Sequence, residues 1–486
     1  MDGFAAVDFE PARQVLQRGI AALLFVAFLS TLNQFRPLLG ERGLLPAPEL
    51  LAWAASSKRR AGMLRPTLFR WVRYTDRRLV ALCVGGMTAS ALVIAGVPQL
   101  GPPWMPALVF LALWFGYMSI VSLGQTFYGF GWEMLLLEGT FLAAFLGSDS
   151  QPPATVVIVL FWWLLFRLEF GAGMIKIRGG REWRDLTALM YHHETQPMPG
   201  PLSRQAHLLP AWFHRLEVLG NHFAQLAVPW FLFAPLLSLW VAGPVPQIIG
   251  AVAAAIVIAT QLWLVLTGNF AWLNWATIIL AFSAVGIPGS GRAASDLPLW
   301  WVVVTGAVCL GYVALSWPAL RNLVAHRQLM NASFNRWQLA NAYGAFGTVT
   351  KERLEIVVEA TTDADPDEAQ WREYEFKGKP GDPTRIPRPF APYHLRLDWL
   401  MWFLPLGRAL DEWFTGFLIR LLEADPATLR LLRLDPFDGA RPLWIRAVSY
   451  RYRFATRAER RRSGVVWVRD RRRVLVRPMG FADDRD

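Results

Sequence analysis

The chain has 486 residues, 54% hydrophobic, 13% aromatic and only 18% charged, with 24 Trp and a formal net charge of +12. So apolar and charge-poor a composition excludes an ordinary water-soluble globule, because much of the chain needs a non-aqueous solvent. The positive charge does not point to nucleic acid either: the basic residues flank apolar blocks or crowd the tail, where head groups and topology account for them, and no nucleic-acid-binding motif is present.

The first residues, MDGFAAVDFEPAR, are acidic, unlike the basic start of a secretory signal, so the first apolar block is expected to be a retained helix. A hydrocarbon core of about 30 Å requires about 20 apolar residues per crossing. On that measure helices are expected at about 15–33, 79–97, 104–124, 132–147, 154–175, 218–241, 246–267, 270–287 and 299–317. The fourth is short enough to be re-entrant or broken. Gly101-Pro102-Pro103, Gln151-Pro152-Pro153 and Gly243-Pro244 punctuate the turns. Cys83 and Cys309 both fall inside these blocks, which leaves no disulfide framework and no CxxC site.

Three connections are long: 34–78, which carries Lys58, Arg59, Arg60, Arg65, Arg70, Arg73, Arg77 and Arg78; the polar loop 176–217; and everything after Pro318. Nine crossings put all three on one side, which the positive-inside rule assigns to the cytoplasm. In the tail, Leu354, Ile356 and Val358 alternate with Glu355, Val357 and Glu359 like a half-buried strand. Tyr393 to Asp425 has helical texture with charges throughout. Two basic strands, from Trp444 and from Gly464, read as a hairpin turning at Arg457 to Ser463. The expected fold is an all-α polytopic membrane bundle of about nine helices, residues 1–317, followed by a small α+β soluble domain, residues 318–486.

Ionisable residues within spans are expensive and usually face a bundle interior or a wet cavity. The candidates, with their polar neighbours, are Glu133 and Glu138 in the fourth span, Arg167, Glu169 and Lys176 in the fifth, and Glu217, Asn221, His222 and Gln225 at the head of the sixth. Glu169, Gly173 and Lys176 share one helical face, as do His214, Glu217, Asn221 and Gln225, so two polar stripes can pair across the bundle. A structural network of ion pairs is the plainer reading and a site the sharper one. Lys176, near a span end, reads as snorkelling to head groups; buried, it would be a general base. His192, His193, His207, His214 and His222 accompany Glu194 and Glu217, but no HExxH or other ligand spacing is present, so no metal and no cofactor are expected. Nucleophile elbows, phosphate-cradling loops and dinucleotide fingerprints are missing too.

Two long strings are more informative. FGAGMIKIRGGREWRDLTALMYHHETQPMPGPLSRQAHLLPAWFHRLEVLGNHF, Phe170 to Phe223, and YEFKGKPGDPTRIPRPFAPYHLRLDWLMWF, Tyr374 to Phe403, closely resemble the lipase maturation factor family, and the likeness runs from the first span to Arg477. The resemblance implies a multipass membrane protein whose animal members act in the endoplasmic reticulum on homodimeric secreted lipases. It also places the tail on the extracytoplasmic side, opposite to the loop-charge assignment. The chain is compact, Arg-rich and without a retention-like end after Phe481, so a bacterial inner (plasma) membrane is expected, or the reticulum membrane if the source is eukaryotic. More distantly, Ala172, Gly173, Lys176 and Trp183 resemble an AG..K.....W pattern in the transmembrane domain shared with vitamin K-dependent gamma-carboxylases, where the lysine is implicated as a base.

These readings give a leading expectation and a rival. The first is a membrane-embedded folding or maturation factor whose partners are the bilayer and a lipase or other exported client, met by an aromatic patch around Trp399, Trp402 and Trp413. The alternative is a quinone- or lipid-dependent membrane enzyme with Lys176 as catalytic base and Glu138, Glu169 or His222 as partners. A transporter ranks last, since no inverted repeat is visible.

Overall fold

The computed structural model describes residues 4–290, 297–407 and 411–481. Every expected apolar block is helical: α1 (Glu10–Leu39), α2 (Asp76–Ile94), α3 (Trp104–Leu123), α4 (Gly131–Ala143), α5 (Thr155–Arg178), α6 (Ala211–Leu239), α7 (Val245–Thr267), α8 (Leu273–Ala281) and α9 (Leu299–Val324). Seven are long and apolar enough to cross a membrane; α4 and α8 are shorter. The chain is a multi-pass membrane protein.

The contacts at the two ends of the bundle show how the short helices run. At one end Ala6 N donates to Pro153 O at 2.9 Å, Asp149 N to Gln99 O at 2.8 Å and Ile287 N to Asp8 O at 2.9 Å, which gathers the N-terminus with the turns before α3, after α4 and after α8. At the other end the tail meets both long connections: Arg420 reaches Arg42 O, Arg336 reaches Leu64 O, and Arg353 reaches Glu194 O and Pro197 O. Helices α4 and α8 therefore each carry the chain from one end to the other.

Helix α6 begins at Ala211, seven residues before the expected 218, which brings His214 and Glu217 into it. It is not uniform. A π-helical turn spans Phe223–Ala227 and a 3-10 stretch Ala234–Leu239. Pro229 follows the π turn; lacking an N–H, it cannot complete the regular ladder.

The tail sheet is antiparallel in the order β2-β1-β3-β4, with β1 (Arg353–Thr361), β2 (Arg372–Glu373), β3 (Trp444–Phe454) and β4 (Trp467–Met479). Val357 faces Val448 and Phe454 faces Trp467. Strand β1 is not half-buried as its alternation implied: Glu355 and Glu359 are buried as well, Glu355 paired with Arg353 and Lys379, and Glu359 with Arg446. The link between β3 and β4 is a helix, Arg457–Ser463, and not a tight turn. A Thr456–Glu459 capping box starts it and Gly464, at φ 73°, ends it in the left-handed conformation that glycine accepts without strain.

Helices α10 (Arg396–Phe403) and α11 (Glu412–Leu422) lie where helical texture was expected. Their tryptophans do not form an exposed patch. Trp399 is buried against Trp132 and Phe130, Trp413 is buried against Phe127, and the half-buried Trp402 donates to Thr195 O at 3.0 Å. Fused aromatic rings carry the same signal whether they fill a core or wait for a partner; here they fill one. The main apolar core runs from Leu16 in α1 through Trp162 and Trp272 to Ile356 and Phe417 in the tail, with smaller clusters around Trp467 and around Trp183.

Candidate functional site

The polar residues singled out in the sequence fall into four sets among the described residues. The first surrounds Glu138 on α4. Arg167 from α5 and Tyr312 from α9 donate to one carboxylate oxygen; Asn341 N (3.1 Å), Asn341 Nδ2 (2.7 Å) and Tyr343 OH (2.7 Å) donate to the other. Arg167 also donates to Asn341 O at 2.7 Å. All the members are buried. A carboxylate has about four lone-pair sites, so Glu138 is saturated and has nothing left for a substrate.

The second set joins Glu133 on α4 to Arg396 of α10, at 2.7 Å, and to Tyr117 of α3, at 2.5 Å. Arg396 also donates to Phe127 O and lies over the Tyr128 ring, while Gln34 of α1 bonds His394 O and the Arg396 amide. Tail and bundle are thus bolted together through buried charge.

The third set is built on Lys176. It does not snorkel: it is buried, its Nζ donates to Asn221 Oδ1 (3.0 Å) and Gln225 Oε1 (2.8 Å), and it sits 4.7 Å from the centre of the Trp183 ring. Gln225 also interacts with the Glu169 carboxylate, which accepts from Gln261 Nε2 at 2.8 Å. His222 bonds Trp183 O at 3.1 Å. Two features let the stripes meet. Gly173 gives α5 and α6 close approach, since a Cβ there would come within 2.7 Å of Leu226 and 3.0 Å of Gln225. The π turn of α6 carries Gln225 itself. Lys176, Glu169 and His222 are therefore brought together, whereas Glu138 belongs to the first set.

The fourth set draws three residues, His193, His214 and Glu217, from the His and carboxylate group named in the sequence. His193, on the loop helix Leu189–Thr195, and His214, on α6, both aim a ring nitrogen at Glu217, at 3.1 and 3.2 Å, and the Trp263 indole donates to Glu217 Oε1 at 2.5 Å. Nearby, burial and the charges of His193 and His214 push His207 down to about 4, and burial above all pushes His192 down to about 3.

Comparison with known proteins settles the family. The lipase maturation factor transmembrane domain matches residues 11–286 and the lipase maturation factor C-terminal domain matches residues 339–477. Lipase maturation factor 1 of Homo sapiens is 37% identical over 524 residues, covering 97% of this chain and 88% of that protein. The chain belongs to the lipase maturation factor family. Within the family it is also similar to lipase maturation factor 1 of Bos taurus, at 37% identity over 98% of this chain, and to lipase maturation factor 2 of Gallus gallus, at 28% over 94%. No solved structure matches the chain.

For this maturation factor relative, sequence reasoning missed Tyr312, Asn341, Tyr343, Arg396 and Trp263. Tyr312 and Trp263 were hidden in apolar spans, where an aromatic residue needs no explanation. Asn341, Tyr343 and Arg396 lie in the tail and carry no local sign that they enter the bundle.

Proposed function

We propose that the chain is a membrane-embedded folding and maturation factor for a lipase or another exported protein, with the bundle as anchor and the tail as the client-facing surface. The observation that carries this reading is the extent of the likeness to proteins named lipase maturation factors: both matched regions are present in order, and the alignment to the human protein covers 97% of this chain. With Trp399 and Trp413 buried and Trp402 half-buried, the surface on offer is β4. It lies at the edge of the sheet, and Arg471, Arg472, Arg473 and Val474 are exposed along it. An edge strand offers a free row of N–H and C=O groups to an extended segment of a client. An exported client folds outside the cytoplasm, so this reading puts the tail on the extracytoplasmic side, against the loop-charge expectation; long segments escape the positive-inside rule. Lys176, tied to two amide oxygens and an indole face, acts in this reading as a clamp between α5 and α6.

The test is co-purification of a co-expressed secreted lipase. Replacing Arg471, Arg472 and Arg473 with Glu is expected to cut lipase capture at least tenfold with the melting temperature unchanged, and lipase yield that does not depend on the protein at all would overturn the function. Truncating the tail is the wrong variant, because it would strip Asn341 and Arg396 from buried Glu138 and Glu133. Ser463→Cys, exposed on the β3–β4 link, is expected to react with a membrane-impermeant maleimide applied from outside.

A further inference from the structure

Glu217 stands where α6, the loop helix Leu189–Thr195 and the end of α7 converge, and three possible ligand atoms from His193, His214 and Glu217 lie within 4.8 Å of one another. We propose that these three side chains form a binding site for a divalent cation of the zinc class, with a fourth coordination position open. This proposal is independent of the maturation-factor reading.

Four observations support it. Bonds of about 2.0–2.2 Å from Zn²⁺ to imidazole and carboxylate put neighbouring ligands of a tetrahedron about 3.3–3.6 Å apart. The nitrogen–oxygen separations to the shared Glu217 Oε2, 3.3 Å at His193 and 3.2 Å at His214, lie close to the short end of that range. The tautomer of His214 also fits. Its Nε2 faces His207 O at 3.4 Å, so a neutral ring that donates to this carbonyl presents the Nδ1 lone pair to the cluster. If Nδ1 carried the only proton instead, the Nε2 lone pair would face a carbonyl oxygen. Third, the Glu217 carboxylate is oriented from outside by the Trp263 indole, as ligating carboxylates are. Fourth, two imidazoles and one carboxylate suit zinc better than magnesium or calcium, which prefer oxygen shells, and neither cysteine belongs to the cluster, which disfavours soft Cu(I).

His193 and His214 are both buried, while Glu217 is partly exposed. A cation there would fasten the loop 176–217 to the head of α6. That loop also receives Arg353 of β1 on the carbonyls of Glu194, Gln196 and Pro197, so the clamp would steady the seat of the tail sheet.

The competing account is an ion pair alone, with a doubly protonated His214 between Glu217 and His207 O. Full-length protein, purified in detergent with a tag that contains no histidine and stripped with chelator, distinguishes them when titrated with Zn²⁺ and, for its visible spectrum, Co²⁺. One equivalent of Zn²⁺ retained through gel filtration, with tetrahedral Co²⁺ bands, is expected for the wild type and for His326→Ala, whose exposed histidine lies outside the cluster. His193→Ala and Glu217→Gln are expected to lower the affinity at least tenfold. Wild-type protein that retains no stoichiometric cation overturns the proposal whatever the variants do. Binding left unchanged in a folded Glu217→Gln variant overturns it equally. Should His193→Ala fail to fold, a Zn²⁺-dependent rise in melting temperature for wild type, absent in Glu217→Gln, makes the same distinction.

Discussion

Glu138 and Lys176 are both charged groups inside the same bundle, yet they are held very differently. Five hydrogen bonds converge on the Glu138 carboxylate, one pair of them from an arginine and a tyrosine on neighbouring helices and the rest from residues 341 and 343 of the incoming tail. Lys176 directly touches two neutral amide oxygens and the face of an indole, with the Glu169 carboxylate one amide away through Gln225. The difference teaches what a buried charge is for in this molecule. A saturated ion pair drawn from distant parts of the chain fixes one arrangement of tail on bundle. A lysine with amide partners sits in a looser, locally built contact between two consecutive long helices.

The strongest way to break this comparison is at the saturated end. Glu138→Ala leaves Arg167 buried without its counter-charge, and a change of this kind costs about 3–5 kcal/mol. The expected outcome is loss of monodisperse protein on size exclusion, or a melting temperature far below wild type; wild-type behaviour would mean that the carboxylate contributes little. Arg396→Met tests the second bolt, where Glu133 would be stranded. About 3 kcal/mol is expected to be lost, with faster limited proteolysis at the start of α10.

Acid sharpens the comparison outside the spans. Burial, the leading cause in each case, holds His192 down to about 3 and His207 and His394 to about 4. In the unfolded chain each takes up a proton near 6.5. Between about pH 6.5 and 4 the unfolded state therefore binds more protons at these sites, and stability falls as pH falls. Asp398 opposes this: burial raises it from 3.8 to about 6, so its folded form keeps a proton that the unfolded form releases. Burial raises Glu194 as well, so three histidines stand against two acids, and the loss is about 1.4 kcal/mol per pH unit for each unbalanced proton. Melting temperature should drop steadily from pH 6.5 to 4.5, and His394→Asn should flatten the slope.

The smallest effect is expected at the loosely held end. Lys176→Met keeps the aliphatic volume but leaves two amide oxygens without a donor and takes away the positive charge nearest the buried Glu169 carboxylate; with no direct ion pair broken, the cost is expected to be about 1–3 kcal/mol, below that of Glu138→Ala. The variant should fold, with its melting temperature lowered by a few degrees; a collapse as severe as that of Glu138→Ala would erase the distinction between the two regions.

How much of this could be read from sequence follows the same division. The pairing of the two polar stripes was legible because each obeys helical periodicity within one segment, although Lys176 itself, close to a span end, reads as snorkelling. The partners of Glu138 and Glu133 were not, since Asn341 is 203 residues from the first and Arg396 is 263 residues from the second. The histidines and Glu217 were visible as a group, but which three converge was not, because His193 and Glu217 stand 24 residues apart on two elements, a spacing that no ligand motif records. The nine apolar blocks were legible from composition, and so were β1, β3 and β4 from alternation and β-propensity. The burial of Trp399 and Trp413 was not, since an aromatic run has the same texture on a surface as in a core.

The account stands or falls on whether the protein matures a lipase. The direct measurement is the specific activity of a secreted lipase, per unit mass of secreted enzyme, in host cells lacking their own maturation factor, with and without this chain. The account predicts that the intact protein raises specific activity several-fold and that the variant with Arg471, Arg472 and Arg473 replaced by Glu does so much less. Equal specific activity with and without the intact, membrane-inserted protein would contradict it.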